Sequence, residues 1–283
     1  MIAIIGSGTV GRAVGKCFSR YGFDVVFYDI NGNVLKDLKR EGYKTVSSLH
    51  EALAMSKVSF VTVPTPTVSG RFNDSYVKDT IAKALKVEQK VGSHVMAVKS
   101  TVLPGVVEKL IRSARKMEFC VNPEFMRSEF AEIDFESQDV IIGRINGHER
   151  AADVLKELYE EFRSRSKNEF EIIVTDSNTA CMIKYVSNLL LATKISLFNE
   201  IDEVCKKLGV NTRFVLEHLV SDRIPTVQHY LRDFLRYGFR DECLPKDLGA
   251  FITFADELGV EVSLLKEVER VNRRKVNEGG GYS

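Results

Sequence analysis

The chain has 283 residues, a length that fits one large or two ordinary domains with a well-buried core. Apolar residues make up 44% and charged residues 28%, which is typical of a soluble globular protein. Forty Lys and Arg residues against 39 Asp and Glu residues give a formal net charge of +1. This balance predicts no polyanion-binding surface and argues against a nucleic-acid partner.

The N-terminus, MIAIIGSGTVG, lacks the pattern of a signal peptide, and no apolar run is long enough to predict a membrane span. The five cysteines lie far apart in the sequence, without CxxC pairs or zinc-ligand spacing. We therefore expect a cytoplasmic protein with free thiols and no metal.

The first half of the chain alternates short apolar runs with helical patterns. The runs IAIIG, DVVFYD, VSFVTV, HVMAVKS and MEFCVN predict buried parallel strands, and helical patterns cover residues 9–21, 31–40 and 74–87. DVIIGRI and EIIVTD predict further strands at the edge or end of the sheet. The alternation predicts an α/β domain, a Rossmann-type doubly wound parallel sheet with right-handed crossovers.

The pattern changes after Asp176. Residues 177–208 form one helical stretch without Pro or Gly, and further helical patterns cover residues 212–220, 226–236, 244–258 and 262–276. Strand signals vanish there. We therefore predict a sheet domain over residues 1–176 and an all-helical domain over residues 177–283, which the long helix opens.

A glycine-rich turn, GSGTVG, joins the first strand to the first helix, and an aspartate ends the second strand. Glycines at these places permit a tight turn and close approach to a pyrophosphate, while the acid accepts hydrogen bonds from a ribose hydroxyl. The acid favours NAD over NADP; from this fingerprint alone, FAD or a turn that binds nothing remain alternatives. The predicted cofactor contacts are Gly6, Gly8, Thr9, Val10, Gly11 and Asp29.

Three polar stretches follow strands of the predicted sheet: VPTPT, KSTVLPG and NPEFMRSE. Ligands of such sheets bind beyond the carboxyl ends of the strands, and a proline in each stretch fixes the chain as it leaves the strand. We therefore expect Thr65, Ser100, Thr101 and Glu124 to project toward one crevice.

Two polar residues interrupt an apolar face of the long helix. Lys184 and Asn188 are four residues apart, so they share a helix face. In one interpretation the lysine extends to solvent and the asparagine bonds to a neighbouring loop. In the other, both stabilise negative charge on a substrate oxygen. The helix pattern alone leaves both open.

Seven motifs, taken in order, resemble the UDP-glucose/GDP-mannose dehydrogenase family. They are GSGTVG, PTPT, KSTVLPG, NPEFMRSEFAEIDF, KYVSNLLLATKISLFNEI, SDRI and ECLPKD, and they cover nearly the whole chain. The resemblance implies oxidation of the C6 alcohol of a nucleotide-sugar, with UDP-glucose the expected substrate, to the carboxylate in two NAD-dependent steps. It also implies a homodimer formed through the long helix.

The resemblance implies that Cys243, in ECLPKD, is the nucleophile. A thiolate would hold the half-oxidised sugar as a thiohemiacetal, which a second oxidation converts to a thioester that water hydrolyses. The alternative is a buried apolar cysteine, the commoner fate of a free thiol. Lys246 is a cationic neighbour of the kind that enriches a thiolate. Cys181, beside the helix lysine, is interpreted as a packing residue.

The remaining roles follow from the same resemblance. Lys184 and Asn188 would hold the C6 oxygen, Asp247 would bond to the lysine or to the attacking water, and Thr101 and Glu124 would position water and assist proton transfer. The further NAD contacts implied are Thr65, Pro66, Ser100, Thr101, Lys246 and Arg274.

The chain departs from the family pattern in three ways. Arg240 and Asp241 replace a glycine pair before the cysteine, and Ser128 replaces an acidic residue near the reacting sugar. The chain also ends where family members continue into a C-terminal domain that holds the nucleotide, so reduced remote binding energy is expected. Three hypotheses remain: a two-step nucleotide-sugar dehydrogenase, with a separate chain supplying nucleotide contacts as one option; a one-step 3-hydroxyacid-type dehydrogenase; and a catalytically silent NAD-binding protein.

Overall fold

The computed structural model describes residues 1–68, 71–219, 238–240 and 243–278. The chain divides into two compact units. The first consists of Met1–Thr65 and Asn73–Lys184, and the second consists of Pro66–Phe72 and the described residues from Tyr185 onward. The predicted helix over residues 226–236 and the SDRI motif lie outside the described residues.

The first unit is built on an eight-stranded sheet with the order β10-β9-β8-β7-β4-β1-β2-β3. Its strands are β1 (Ile2–Ile5), β2 (Val25–Tyr28), β3 (Lys44–Thr45), β4 (Val58–Val61), β7 (His94–Val98), β8 (Met117–Val121), β9 (Val140–Arg144) and β10 (Ile172–Asp176). The short strands β5 (Thr67–Val68) and β6 (Arg71–Phe72) form a separate antiparallel hairpin in the second unit.

The sheet is parallel except where β8 meets β9, which pair antiparallel at Val121 and Gly143. The predicted doubly wound sheet is confirmed as mostly parallel, and its antiparallel junction falls at β9, which was predicted only as an edge or final strand. The helix between the two strands, α6 (Ala131–Ser137), has seven residues, so it is about 10 Å long and too short to cross the sheet. The chain accordingly re-enters the sheet at the end where β8 left it, and β9 runs antiparallel to β8.

Helices cover both faces of the sheet, as the doubly wound prediction requires. They are α1 (Thr9–Arg20), α2 (Gly32–Arg40), α3 (Leu49–Ala54), α4 (Ser75–Val91), α5 (Val106–Leu110), α6 and α7 (Glu149–Ser166). Alternate residues of β1 enter different cores: Ile2 and Ile4 pack with α1 and α7, whereas Ala3 and Ile5 pack with α3 and α4. The predicted α/β class is confirmed.

The second unit is helical apart from the β5–β6 hairpin, within the residues the structure describes. Its helices are the greater part of α8 (Ser177–Leu208), then α9 (Thr212–Leu219), α10 (Leu244–Glu257) and α11 (Ser263–Glu278). Its core joins Leu189 and Ala192 of α8 to Leu248 and Ile252 of α10 and Val268 of α11. The predicted bounds of α8 agree with the structure at both ends.

The division of the chain differs from the predicted boundary at Asp176 in two respects. The first turns of α8 belong to the first unit, because this helix begins packed on β9: a Cβ at Gly143 would lie only 2.8 Å from Ala180. Residues 66–72 belong to the second unit, where the Thr67 hydroxyl donates to the Lys246 carbonyl at 2.9 Å.

Helix α8 is the one described helix long and apolar enough to cross a membrane by length and composition, over Ser177–Asn199. Of that stretch, 44% is buried inside the protein, and Lys184 and Asn188 are among its buried residues. The core helix of a globular domain has the same character, and we assign α8 to that class.

Candidate functional site

The glycine-rich turn after β1 has the geometry that a dinucleotide fingerprint requires. Gly6 has a φ of +93°, which favours glycine, and a Cβ at Gly11 would lie 2.0 Å from the Gly6 carbonyl oxygen. The Thr62 hydroxyl donates to that same oxygen at 2.5 Å, which ties the turn to the end of β4. Both glycines are therefore needed for the turn itself.

The space beside this turn suits a pyrophosphate. A Cβ at Gly8 would meet nothing within 4 Å, so the backbone is open to close approach there. Gly8 is the N-cap of α1, and no side-chain hydrogen bond caps this helix end, which leaves its first N–H groups directed outward. The residues present thus fit a phosphate-bearing cofactor.

Asp29 directly follows β2, at the position where a carboxylate would accept hydrogen bonds from a ribose. One carboxylate oxygen accepts from the Ser7 N–H at 2.6 Å, and the other accepts from the Asn31 N–H at 2.8 Å. These bonds fix the carboxylate while each oxygen keeps a lone pair for a ribose hydroxyl. The arrangement fits the predicted preference for NAD.

The predicted crevice residues of the first unit follow neighbouring strands at one edge of the sheet. Thr65 follows β4, Ser100 and Thr101 follow β7, and Glu124 follows β8; all four are buried. The Ser100 hydroxyl is engaged with the protein, since it donates to the Val63 carbonyl at 2.7 Å and holds the loop that carries Thr65. Contacts of these residues with NAD remain predictions.

Glu124 and Lys184 form a buried ion pair, with 3.1 Å between Lys184 Nζ and Glu124 Oε1. Their side chains are only 10% and 6% exposed. Burial by itself would raise the pKa of Glu124, but the Lys184 ammonium, the Met126 N–H and the Lys99 charge together hold this pKa below its usual value. Of the two interpretations of Lys184, extension to solvent is therefore excluded.

A second buried lysine, Lys99, directly follows β7 and was not predicted as a site residue. Its ammonium donates to the Asn122 side-chain oxygen at 3.1 Å, and the Tyr159 hydroxyl donates to the same oxygen at 2.8 Å. Burial lowers the pKa of Lys99 to about 7, with Glu124 acting against this and Lys184 adding to it. The one sequence signal was its position, directly after an apolar strand that is buried throughout.

In the second unit, polar residues meet around Asp247 on α10. The Asn188 amide donates to one Asp247 oxygen, and the Lys246 ammonium lies 2.6 Å from the other. Asn188 and Asp247 are both buried, so the amide is held in a fixed orientation. These contacts bring together three of the predicted residues.

Cys243 is the N-cap residue of α10, and Pro245 lies in the first turn of that helix. Its side chain is partly exposed, in contrast to the buried Cys17, Cys120, Cys181 and Cys205. Burial raises the pKa of Cys17 and Cys181 to about 12 and also raises the pKa of Cys120, so these thiols are inert. Helix N-termini favour thiolates, which distinguishes Cys243 by position.

The loop before Cys243 is tied to α11. Asn272 accepts from the Phe239 N–H at 2.7 Å and donates to its carbonyl at 3.1 Å, while Gly238 packs against Asn272 with a φ of +79°. The Arg240 guanidinium donates to the Val276 carbonyl at 2.6 Å, so this replacement of a family glycine is directed toward α11. Arg274 is exposed on the same helix. Asn272 was not among the residues predicted from the sequence.

Ser128, which replaces an acidic residue of the family, and possible metal ligands were also considered in the sequence. Ser128 begins a short 3-10 helix, Ser128–Phe130, and is exposed together with Glu129. Among the described residues, no group of three or more His, Cys, Asp or Glu side chains is arranged to hold a metal ion.

Family models match both parts of the chain. The model for the UDP-glucose/GDP-mannose dehydrogenase NAD-binding domain matches residues 33–163, and that for the central domain of the same family matches residues 178–274. The NAD-binding domain of 3-hydroxyacyl-CoA dehydrogenase matches residues 1–64, which is the fingerprint region alone. NAD as cofactor is thereby confirmed.

Relatives and solved structures agree with these matches. A GDP-mannose 6-dehydrogenase from Pseudomonas savastanoi is 31% identical over 97% of this chain and 68% of its own length. A UDP-glucose 6-dehydrogenase from Haloferax volcanii is 30% identical over 96% and 69%. The structure of a UDP-glucose dehydrogenase from Pyrobaculum islandicum superposes with a TM-score of 0.82 at 30% identity, over 96% of this chain and 68% of that one.

Proposed function

The chain belongs to the UDP-glucose/GDP-mannose dehydrogenase family, and on this premise we propose that it oxidises the C6 alcohol of a nucleotide-sugar to the carboxylate. UDP-glucose is the proposed substrate, and NAD is the cofactor. The observation that carries the proposal is the burial of four polar residues from the family motifs in defined contacts. They are Glu124, Lys184, Asn188 and Asp247.

Oxidation of the alcohol to the acid releases two hydrides, and two NAD molecules, bound one after the other, would each supply the acceptor for one of them. In the proposed roles, Lys184 and Asn188 hold the C6 oxygen and stabilise negative charge on it. The ion pair and the Asp247 bond support this assignment, because both donors are already oriented by carboxylates. Glu124 and Thr101 position water and assist the transfer of its proton.

Cys243 is proposed to retain the half-oxidised sugar. Its sulfur adds to the C6 aldehyde to form a thiohemiacetal, and loss of the second hydride leaves a thioester. Water then releases the carboxylic acid and regenerates the thiol. The partial exposure of Cys243 and its place at the N-terminus of α10 support this role.

The test is NAD reduction with UDP-glucose and a panel of other nucleotide-sugars. We expect two NADH per sugar for the natural sequence, at most one stoichiometric turnover for Cys243→Ser, and unchanged activity for the matched control Cys205→Ala. One NADH from a small hydroxy acid, insensitive to Cys243→Ser, would support a 3-hydroxyacid-type enzyme instead. NAD binding without reduction by any sugar would mark a catalytically silent protein.

A homodimer through α8 is part of this proposal. Ile183, Val186, Leu190 and Leu197 recur along the helix at intervals of three, four and seven residues, and they are 37–54% exposed. An apolar stripe of this kind is typical of a helix–helix interface. A cytoplasmic location is proposed as well, since no disulfide links the cysteines that the structure describes.

A further inference from the structure

Lys99 lies at the carboxyl end of the central strand β7, and no direct ion pair with a carboxylate is found for it among the contacts described. Its side chain is fully enclosed, with 2% of the residue exposed, and the hydrogen bond given above goes to a neutral amide oxygen. The Phe135 ring lies 5.7 Å from its ammonium, and the Asn122 amide is itself fixed because it donates to the Ile141 carbonyl at 2.8 Å. A buried ammonium with neutral partners is costly unless negative charge lies within reach.

The charge that balances Lys99 is shared. Glu124 lies two residues after Asn122, the hydrogen-bond partner of Lys99, and is the carboxylate whose charge acts on Lys99; it already forms the 3.1 Å ion pair with Lys184. Two ammonium groups therefore share one carboxylate, so the buried cluster of Lys99, Lys184 and Glu124 carries one positive charge in excess when both lysines are protonated. Of the two lysines, Lys99 is the one without a direct ion pair among the contacts described.

We propose that Lys99 is a positioning residue whose ammonium adds to that of Lys184 in favouring the ionised Glu124 and gives the Glu124–Lys184 pair an excess of positive charge. Its use in catalysis rests on the proposed function, in which a substrate oxygen becomes negative beside Lys184. The negative charge of Glu124 balances the positive charge of Lys184. The positive charge that favours a substrate oxyanion is then that of Lys99. The Lys99–Asn122 hydrogen bond fixes the position from which it acts.

The proton on Lys99 depends on its surroundings. The titratable groups that interact with it are Glu124, Lys184 and, through Asn122, Tyr159, whose own pKa burial raises. Because burial brings the pKa of Lys99 to about 7, this lysine is charged throughout the acidic range in which Glu124 titrates. Arrival of negative charge near Lys184 would raise the pKa of Lys99 and draw a proton onto it.

The experiment measures the titration of Glu124 by carbon NMR on protein labelled at the glutamate carboxyl carbons, with the signal assigned by its absence in Glu124→Gln. Removing a cation destabilises the carboxylate, so Lys99→Met is expected to raise the pKa of Glu124 measurably above that in the natural protein. Lys99→Arg, which keeps the charge, should restore the low value. Tyr159→Phe, which removes a contact of Asn122 but no charge, is the matched control and should leave the pKa low.

An unchanged Glu124 titration in folded Lys99→Met would overturn the proposal, as would a shift of equal size in Tyr159→Phe. If Lys99→Met does not fold, a Glu124 pKa that rises in Lys99→Gln and stays low in Lys99→Arg supports the proposal, and one that is the same in both overturns it. This readout needs no turnover, so it stands even if the chain oxidises no sugar. If it does, Lys99→Met should lower kcat at least tenfold with the NAD affinity unchanged, and Lys99→Arg should recover most of it.

Discussion

Removal of one partner from the buried Glu124–Lys184 pair should destabilise the protein strongly. At 3.1 Å, and with an effective dielectric constant of about 20, the two charges attract by about 5 kcal/mol, against which stands the cost of dehydrating both. Lys184→Met leaves the Glu124 carboxylate buried without its main partner, and we expect the free energy of unfolding to fall by about 3–5 kcal/mol at pH 7.

The double variant Lys184→Met/Glu124→Gln removes both charges and should be less destabilised than the sum of the single variants by about 2–3 kcal/mol. Urea unfolding of all four proteins at pH 7 measures this coupling. Because the folded pKa of Glu124 is lowered, the carboxylate contributes stability above its unfolded pKa, and this contribution is lost as the pH falls through the folded value. Additive effects of the two substitutions, or a Lys184→Met protein as stable as the natural one, would refute the reasoning.

Three further predictions concern the cofactor turn, the proposed dimer and the response to acid. Gly8→Ala should weaken NAD binding about tenfold or more without loss of stability by thermal unfolding, whereas Gly11→Ala should impair folding, because its Cβ lies 2.0 Å from a main-chain oxygen. Leu190→Lys should convert the proposed dimer to a monomer in light scattering, and Ile133→Lys should not, since Ile133 is also exposed but lies on α6. Burial lowers the pKa of His94 to about 4, so the folded protein favours the neutral imidazole. As the pH falls from about 6.5 to 4, the free energy of unfolding of the natural protein should therefore decrease by about 1 kcal/mol per pH unit relative to that of His94→Gln, which has no titratable group at this position.

Most of the sheet was predictable because its strands are buried on both faces and stand out as continuous apolar runs between helical patterns. The bounds of α8 were predictable for the opposite reason, since 32 residues without Pro or Gly offer no place to end a helix. The reversed direction of β9 was not, because an apolar run carries no information about strand direction. Nor was the assignment of the β5–β6 hairpin to the helical unit, because its contacts with α10 join residues that are far apart in the sequence.

Site residues were predictable where a short sequence motif fixes the local backbone geometry. They were less predictable where the hydrogen-bond partner lies far away in the sequence. The turn at GSGTVG and the acid Asp29 follow from spacing, and in the structure the Ser7 N–H of that turn donates to the Asp29 carboxylate. Lys99 was missed because a lysine after a strand is usually exposed, and the Asn122 amide that holds it comes from the next strand along the sheet. Asn272 was missed for a similar reason, since its partner Phe239 is 33 residues away.

The central claim is that the Cys243 sulfur carries the sugar between its two oxidations. The most direct measurement is an acid quench of a single turnover with UDP-glucose, followed by peptide mapping by mass spectrometry. The account predicts a glycosyl-acyl adduct on the peptide that contains Cys243, and no adduct on the other four cysteines. Formation of two NADH per sugar without this adduct, and with full activity in Cys243→Ser, would contradict it.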